Sequence, residues 1–459
     1  MNNSKNKLIL IDPGFLGEYG IGKWGKAYWS TAINHGITQI SAVCKSQGID
    51  CSLLDFRQIK NYEQFRNVVR SQKECWYGVT CRTIDSPIVE KAVKIIKEEH
   101  PESKIIIGGI HVSLNPDYFL DNTFVDYVFT GEADITLPRL LKEPDKFTKL
   151  VKGQIPEINT IPLEDIDIYD YKKSISFSLY GGIIKPPTIP IITSRGCVYN
   201  CKFCQPAEKI LYGEKYRQKS SDRVIEEIKF IANRYQFNSI MFYDDCLLAH
   251  KKYLLSLLRE MAKLKKVEVM LQGRANNICM LGDELAELKN LGLRAVIVGF
   301  ESGSQRILDF IGKGTTVEQN IKAGEILHKH NIKIVGNFMI GLPTETNEEI
   351  KETIAVANKI KPTIASCSFY SPMPGSYIYE YSLKNGLILE KDYAYLSRDP
   401  KKPKIKGIDY DFANDALYRI VGSRFKSSFA KKIIGYAYKN LERGPVREAL
   451  TRMYNMFVR

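Results

Sequence analysis

Six short apolar runs between residues 188 and 375 constrain the fold of this 459-residue chain more than any other feature. Stretches with helical spacing of apolar residues, such as DRVIEEIKFIANRY and GDELAELKNLG, separate them. Strands alternating with helices favour a parallel sheet, so we predict six β/α units that form a partial (β/α)6 barrel. The runs are the strand ending at Thr193, SIMFYDD (239–245), VEVMLQGRA (267–275), AVIVGFESG (295–303), IKIVGNFMIGLP (332–343) and IASCSFYSPMPG (364–375).

Polar residues and glycines follow several of these predicted strands. Active sites of such sheets lie at the carboxyl ends of the strands. We therefore expect a site built from the residues at these positions, which are Asp244, Asp245, Arg274, Glu301, Ser302 and the turn Gly341-Leu342-Pro343.

The first 150 residues have their own strand and helix pattern. Five apolar runs (KLILIDPG, GIDCSLLDF, CWYGVTCRT, SKIIIGGIHVS, VDYVFTGEA) are separated by helical stretches such as SPIVEKAVKIIKEEH. This pattern predicts a doubly wound, Rossmann-like domain whose ligand lies at the carboxyl ends of its strands. Gly108 and Gly109 end one of these strands, and a glycine pair permits an approach that a Cβ would block. The alternative for this pair is a tight strand-to-loop turn.

Three of the ten cysteines form a group directly after the first barrel strand. Cys197, Cys201 and Cys204 are spaced C-x3-C-x2-C, whereas the other seven are scattered singly and are expected to be buried core residues. Thiolates hold iron-sulfur clusters, and three of them leave one iron of a cubane open. Zinc is the alternative, but it prefers four protein ligands, and no second cysteine pair or nearby histidine completes a site.

The cysteine spacing, with Phe203 before the last cysteine, resembles the radical S-adenosylmethionine (SAM) superfamily, whose signature is C-x3-C-x-aromatic-C. The resemblance implies one 4Fe-4S cluster whose open iron chelates SAM and whose reduced form cleaves SAM to methionine and a 5'-deoxyadenosyl radical. The segments GFESGSQRILDFIGKGTT and GNFMIGLPTETNEEI are similar to the fourth and fifth barrel strands of that superfamily. By this resemblance Glu301 and Ser302 contact the ribose or amino-acid end of SAM, and the backbone from 336 to 342, with Gly341, lies near the adenine.

Asp244 is a further candidate for cofactor binding. Two alternatives stay open at this stage: Glu301 as a strand-end salt bridge, and Asp244 or Asp245 as a helix N-cap. The Gly-Gly-Glu often found after the cysteines is absent, since CQPAEKILYGEKYRQKS stands in its place. The groups that bind the SAM amine are therefore not identified by the resemblance.

The N-terminal segments resemble the cobalamin-binding domain that precedes the barrel in one radical SAM subfamily. The resemblance rests on the order of a GI-C-LLD strand, IIIGGIHVSLNP and VDYVFTGEADITLPRLL. It implies that Gly108 and Gly109 approach the cobalamin nucleotide tail. Thr80, Arg82 and Thr83 in GVTCRT lie at a predicted strand end, where we expect them to line the face of the cobalt. The common D-x-H-x-x-G signature is missing, and His35 in AINHGITQ fails at both flanking positions. A histidine ligand below the cobalt is therefore not expected.

The C-terminal region is strongly basic. From Lys401 to Arg459 there are fourteen Lys or Arg against five Asp or Glu. A basic amphipathic helix is typical of membrane-surface, anionic-substrate or nucleic-acid binding; a solvated face of a helical cap is the alternative. No RNA-binding module is recognisable, so no nucleic-acid partner is expected. Aromatic and aliphatic residues recur with helical spacing among the lysines: Phe425, Phe429, Ile433 and Tyr436, interleaved with Lys426, Lys431, Lys432 and Lys439.

We therefore predict an α/β protein with four parts: a Rossmann-like cobalamin-binding domain (1–150), a linker rich in proline (151–189), a radical SAM barrel (190–375) and a mostly helical basic region (376–459). The N-terminus carries neither a signal peptide nor a membrane anchor, so we expect a cytoplasmic protein with peripheral membrane contact through its C-terminus.

The family resemblance covers roughly residues 8–380 and implies a cobalamin-dependent methylase of an unactivated carbon. In it one SAM methylates reduced cobalamin, a second yields the radical that removes a substrate hydrogen, and an external donor such as flavodoxin or ferredoxin supplies electrons. The substrate is a small molecule or a lipid, as with hopanoid methylases. Alternatives are radical cyclisation or ring rearrangement, and a non-catalytic cobalamin or SAM sensor, against which the intact cysteines argue.

Overall fold

A computed structural model of the chain describes residues 7–13, 33–176, 182–393, 396 and 403–424. Its strands form two six-stranded parallel sheets and one short antiparallel hairpin. The first sheet is N-terminal, and the second forms the barrel.

The N-terminal sheet has the strand order β2-β1-β3-β4-β5-β6 and is parallel throughout. The strand order reverses between β1 and β3, and doubly wound sheets bind ligands at this switch point. The predicted Rossmann-like architecture is confirmed. The strands are β1 Lys7–Asp12, β2 Asp50–Asp55, β3 Trp76–Thr80, β4 Lys104–Gly108, β5 Tyr127–Thr130 and β6 Leu150–Lys152, and the helices are α1 His35–Ser46, α2 Tyr62–Arg70, α3 Ser86–Glu99, α4 Ile110–Leu114, α5 Asp117–Leu120 and α6 Thr136–Lys142.

The sixth strand of this sheet was not among the five predicted runs. It contains only three residues, Leu150–Lys152, and pairs with β5. So short a strand carries no readable alternation of apolar residues. The predicted domain boundary at residue 150 falls at its first residue.

The second sheet has the order β14-β13-β12-β11-β10-β7, which is the chain order of the six predicted runs. The predicted partial barrel is confirmed. The sheet strands are β7 Thr188–Ile191, β10 Ser239–Phe242, β11 Glu268–Gly273, β12 Leu293–Glu301, β13 Lys333–Ile340 and β14 Ile364–Phe369, and the hairpin consists of β8 Ser194–Arg195 and β9 Arg217–Gln218. The remaining helices are α7 Tyr171–Ser176, α8 Ala207–Tyr212, α9 Ser221–Ala232, α10 Lys251–Leu264, α11 Ala275–Cys279, α12 Glu284–Asn290, α13 Gln305–Phe310, α14 Val317–Lys329, α15 Asn347–Ile360, α16 Tyr377–Lys384 and α17 Tyr410–Val421.

The barrel strands are apolar on both faces because helices cover one face and the opposite faces close on each other. All four residues of β10 are buried. One core cluster joins Ile183 and Ile184 to Met241, Met270 and other side chains of the barrel strands. Capping boxes at Thr316 and Thr346 fix the starts of α14 and α15.

Two helices follow the barrel in the described residues. α17 packs against the edge strand β14 and against α15, with the rings of Phe369 and Tyr410 stacked at 5.7 Å. Covering an edge strand in this way blocks its pairing with another chain. The predicted basic amphipathic segment, from Phe425 to Lys439, lies outside the described residues.

The segment between the two sheets is packed rather than extended away from them. Tyr169 Oη donates to Asp12 Oδ2 at 2.9 Å, Gln39 Nε2 donates to the Pro162 carbonyl at 3.1 Å, and Lys45 Nζ lies 2.7 Å from Asp165. These contacts tie the predicted linker to β1 and α1.

Candidate active site

The three grouped cysteines lie on one loop between β8 and α8. The amides of Cys204 and Gln205 both donate to the Cys201 carbonyl, at 2.9 and 2.8 Å, so the loop closes into a helical turn. The Lys202 amide donates to the Ile311 carbonyl at 2.8 Å and anchors the turn to the barrel. Cys201 is buried, Cys197 is half-buried and Cys204 is exposed. A hydrogen bond with the Cys246 thiol lowers the pKa of Cys197 to about 7, which favours its thiolate form.

Two buried cations border this loop. Arg274, which follows β11, donates through Nη1 to Cys201 Sγ at 2.9 Å. Lys313 Nζ lies 2.8 Å from Glu301 Oε1 at the end of β12. Both cations are largely shielded from water, with 7% of Arg274 and 6% of Lys313 exposed. Positive charge is thus fixed beside the cysteine loop.

Glu301 has a strained backbone that aims its side chain at Lys313. Its φ is 62°, in the left-handed region that non-glycine residues rarely adopt. The strand register also shifts between Gly299 and Glu301. A Cβ at Gly299 would collide with Glu301 Oε1 and Lys313 Nζ, so the glycine is needed for this arrangement. Such strain is typical of functional sites.

Two acids lie on the other side of the cysteine loop. Burial, together with the nearby Asp244, raises the pKa of Asp245 to about 6. Burial, with the charges of Asp245 and Cys197, raises the pKa of Glu208 to about 8. Protonation of Glu208 near neutral pH limits the negative charge that collects beside the thiols.

A cavity of about 410 Å³ lies between the carboxyl ends of the two parallel sheets. The N-terminal domain contributes strand-end residues and five glycines, one of which is Gly36, and the barrel contributes residues next to the cysteines. From the first domain come Leu10, Gly78, Val79, Thr80, Gly108, Gly109, Phe129 and Gly131; from the second come Ser194, Arg195, Gly196, Tyr243, Asp244 and Asp245. Both sheets therefore present their usual ligand-binding edges to one space.

A histidine and carboxylate pair borders the same cavity. His35 Nδ1 lies 2.8 Å from Glu164 Oε2, which also accepts a hydrogen bond from Thr38 Oγ1 at 2.7 Å. Burial opposes the charged imidazole, but the attraction and hydrogen bond of Glu164 outweigh it and raise the pKa of His35. His35 is also one of the cavity-lining residues.

Family models match two separate parts of the chain. The B12 binding domain model matches residues 30–141, and the radical SAM superfamily model matches residues 191–357. Each match falls on one of the two parallel sheets. The chain belongs to the cobalamin-binding radical SAM proteins.

Proteins similar in sequence to this radical SAM protein include methyltransferases and cyclases. An uncharacterized methyltransferase of Pyrococcus horikoshii is 29% identical over 345 residues, which are 70% of this chain and 72% of the relative. The anaerobic magnesium-protoporphyrin IX monomethyl ester cyclase of Rubrivivax gelatinosus is 26% identical over 342 residues. That match covers 69% of this chain but only 60% of the cyclase.

Solved structures share the two-domain fold of this radical SAM protein. The methyltransferase TsrM of Kitasatospora setae, solved with cobalamin and a [4Fe-4S] cluster bound, has a TM-score of 0.64 and 13% identity, and the match covers 99% of both chains. The radical enzyme OxsB, solved with aqua-cobalamin and SAM bound, has a TM-score of 0.67 and 15% identity, over 99% of this chain and 75% of OxsB. At these identities the likeness concerns the fold.

The cysteine loop fits an iron-sulfur cluster better than a single metal ion. Among the described residues, no three Cys, His, Asp or Glu side chains converge as ligands of one ion. The three thiols of a cubane site are spread more widely than zinc ligands, because each cysteine binds a different iron. Cys197, Cys201 and Cys204 on one loop, beside two cations, match that donor set.

The N-terminal side of the cavity fits cobalamin. A Cβ at Gly108 would lie 3.5 Å from the Phe129 carbonyl oxygen, and Phe129 is the one residue it would contact. The rest of the space around Gly108 is open to the cavity. Gly131 has even more free space, since its nearest neighbour would be the Gly153 carbonyl at 4.0 Å. Gly109 differs: with a φ of 98°, a Cβ there would lie 2.8 Å from Thr80 Oγ1 and from the Cys81 amide. It therefore also serves the turn that was the alternative interpretation.

Two of the predicted contact residues have other partners in the structure. Arg82 is not among the cavity-lining residues, because its Nε pairs with Asp85 Oδ2 at 2.6 Å. Ser302 is fully buried, and its hydroxyl contacts Thr353 Oγ1 at 3.2 Å and accepts from the Ser304 amide at 3.1 Å. Ser302 thus packs at the strand end and Arg82 pairs within the loop after β3, and their contacts with SAM and cobalamin stay predictions.

Asp244 and Gly341 are two further predicted cofactor contacts. Asp244 borders the cavity, but its carboxylate accepts hydrogen bonds from Thr193 N and Oγ1 and from Ser194 Oγ. It therefore holds the chain just before the cysteines. Neither Asp244 nor Asp245 is a helix N-cap, since Cys246 occupies that position for the next helical turn. Gly341 has a φ of 74°, and its amide donates to Glu345 Oε2 at 2.6 Å, which fixes the turn after β13.

Glu301 is paired with Lys313, as its alternative interpretation stated, and it lies at the strand end where SAM contacts were predicted. Thr80 lines the cavity, as do Gly108 and Gly109. Sequence reasoning missed the pairs His35–Glu164 and Arg274–Cys201, whose partners are 129 and 73 positions apart. No pattern in the neighbouring sequence predicts pairs whose partners are so far apart.

Proposed function

We propose that this protein methylates an unactivated carbon of an organic substrate, using SAM, a 4Fe-4S cluster and cobalamin. The observation that supports this most strongly is the single cavity shared by the cysteine-loop side of the barrel and the glycine-lined edge of the cobalamin-binding domain. A radical formed at the barrel and a methyl donor held by the first domain then act on one substrate.

The residues have separate roles in this proposal. Cys197, Cys201 and Cys204 hold the cluster, Glu301 and Gly341 border the SAM site, and Thr80, Gly108 and Gly109 border cobalamin. When bound, these groups supply reductive SAM cleavage and methyl-group transfer, which no side chain of the protein can perform. The protein positions the reacting groups and keeps water away from them.

Ion pairs are among the contacts that join the two domains beside the cavity. Arg195 and Arg217 of the barrel hairpin both contact Glu132 of the first domain. Glu164 of the connecting segment pairs with His35 of the first domain. These pairs set the distance between the two ligand-binding edges, and reaction geometry depends on that distance.

Three further parts of the proposal concern partners. The substrate is a small molecule or a lipid, electrons come from an external donor such as flavodoxin or ferredoxin, and the basic C-terminus contacts an anionic membrane surface. The support for membrane contact is the charge of the region from Lys401 to Arg459. In the described part of the chain, no helix combines the length and apolar character needed to cross a bilayer.

The proposal is tested by anaerobic incubation of the reconstituted enzyme with methyl-deuterated SAM and a cell extract as the source of substrate. Deuterium in a product that also depends on cobalamin supports the proposal. Formation of 5'-deoxyadenosine without a labelled product contradicts methyl transfer and supports ring formation, the reaction named for the Rubrivivax relative. The Cys201→Ala variant is the control, because it cannot hold the complete cluster.

A further inference from the structure

Arg274 is a buried arginine without a carboxylate partner. Within the described residues its contacts are Cys201 Sγ at 2.9 Å, the Lys313 carbonyl, Asn276 Oδ1 at 3.4 Å and the Tyr199 ring. Other shielded arginines near the cavity, such as Arg195 and Arg217, pair with acids. A buried guanidinium is costly unless an anion compensates its charge. The ionisable side chain within hydrogen-bond reach of Arg274 is that of Cys201, whose sulfur would be anionic as a cluster ligand.

The guanidinium is held in this position from three sides. It lies 3.8 Å from the centroid of the Tyr199 ring. The Tyr199 hydroxyl donates to Asn277 Oδ1 at 2.6 Å, which fixes the ring in turn. Arg274 Nη2 donates to the Lys313 carbonyl while Nη1 faces the sulfur. The planar fork of arginine makes both contacts at once, which lysine cannot do.

The nearby Lys313 does not perform the same role. Its ammonium is paired with Glu301 at 2.8 Å, so its charge is largely neutralised. Arg274 is therefore the buried cation that contacts a cysteine sulfur without a carboxylate partner in the described part of the chain.

We propose that Arg274 is a positioning residue that raises the reduction potential of the 4Fe-4S cluster through its hydrogen bond to Cys201. The inference rests on the proposed function, in which Cys201 is a cluster ligand. Reduction adds one electron, and thus one negative charge, to the cluster. A fixed cation at a ligand sulfur stabilises the reduced state more than the oxidised state, and hydrogen bonds to the sulfurs and local charge are known determinants of cluster potentials.

The test compares reduction potentials of reconstituted proteins. Wild type, Arg274→Gln, Arg274→Lys and the control Arg259→Gln are titrated anaerobically with dithionite as the electron donor, and the signal of the reduced cluster is followed by electron paramagnetic resonance. Iron and sulfide are counted in each sample. Arg259 is a suitable control because it is an exposed arginine paired with Glu287 on the barrel surface.

We expect Arg274→Gln to shift the midpoint potential to more negative values with a full complement of iron. Arg274→Lys should shift it less in the same direction, because the charge remains without the fork, and Arg259→Gln should match wild type. An unchanged or more positive potential in Arg274→Gln would overturn the inference. If that variant loses its cluster, the Arg274→Lys potential decides by the same criterion.

Two other outcomes separate the inference from the proposed function. If both Arg274 variants lose the cluster, Arg274 retains the cluster rather than setting its potential, and the inference is wrong while the proposed function stands. If wild type itself takes up no cluster, the proposed function fails and the inference fails with it.

Discussion

Arg195 of the barrel and Asp134 of the N-terminal domain form a bidentate ion pair, with Nη1–Oδ2 at 2.9 Å and Nη2–Oδ1 at 3.0 Å. Arg195 stands two residues before Cys197, so this pair joins the cysteine loop directly to the cobalamin-binding domain. Glu132 adds a bridge from the same domain to both Arg195 and Arg217. These shielded charges help to fix the relative position of the two halves of the cavity.

The Asp134→Asn variant should weaken this connection. The carboxylate is 9% exposed, so its loss leaves the charged Arg195 short of a partner in a region with little water. Breaking such a bond costs on the order of 2 kcal/mol. In urea unfolding of the apoprotein, Asp134→Asn should unfold at a lower midpoint concentration of urea than wild type. The exposed Asp145→Asn should have the same midpoint as wild type. Equal midpoints for the two variants would show that the pair contributes no stability.

Each of Cys197, Cys201 and Cys204 should be required for the cluster. Replacement of any one by Ala should abolish reductive SAM cleavage, measured as formation of 5'-deoxyadenosine. The protein should hold about four irons per chain, as for one cubane cluster. Cys44→Ala and Cys367→Ala should retain this iron, because those cysteines lie outside the cysteine turn. An iron content of about eight per chain would require a second cluster and contradict the prediction.

The pair His35–Glu164 predicts a pH dependence of stability. Burial opposes both charges, but their mutual attraction raises the pKa of His35 above 6.5 and lowers that of Glu164 to about 2. The contribution of His35 is complete below its unfolded pKa and is lost as pH rises through its raised folded pKa. The contribution of Glu164 is present above its unfolded pKa of about 4.5 and is lost as pH falls toward about 2.

The measurement is the free energy of unfolding of wild type minus that of Glu164→Gln, from about pH 5 to about pH 9. The difference should be largest at the acidic end and should shrink as pH rises. Lys219 and Glu227 also act on this pair and remain unchanged in both proteins. The exposed Glu102→Gln serves as the matched control and should give a flat difference. A difference for Glu164→Gln that grows with pH would contradict the assigned ion pair.

The C-terminal region should bind anionic vesicles. Each well-placed Lys or Arg near an anionic surface contributes about 1 kcal/mol, and salt screens the attraction. Co-sedimentation should therefore need anionic lipid, weaken as salt rises, and fall when Lys426, Lys431 and Lys432 are changed together to Glu. Equal sedimentation with neutral and anionic vesicles, or none with either, would rule out electrostatic membrane contact.

The barrel and the N-terminal sheet could be predicted because parallel strands leave continuous apolar runs between helical stretches. Three features of the structure could not be predicted from apolar patterns. Leu150–Lys152 is too short to form a pattern. Glu301 and Ser302 are neighbours whose exposure depends on a register shift in β12 that no local pattern indicates. Glu301 therefore reaches Lys313, while Ser302 is enclosed by the packing around Thr353.

The contacts between the domains are the other part that the sequence does not reveal. The acids of the segment GEAD (131–134) and Arg195 are charged residues with no local partner in the sequence, and an exposed position is the usual expectation for such residues. They are shielded because the two sheet edges face each other, which is a property of the tertiary structure. The distribution of charge around the site can therefore be determined only from the relative positions of the two domains.

The claim that one cavity serves both cofactors is tested most directly by electron paramagnetic resonance of the reduced protein loaded with cobalamin and the cluster. If both face the same cavity, the signals of the reduced cluster and of divalent cobalt should be split or broadened by magnetic coupling. That coupling should be absent in Cys201→Ala loaded with cobalamin alone. A spectrum equal to the sum of two independent signals, in a protein shown to contain both groups, would contradict the account.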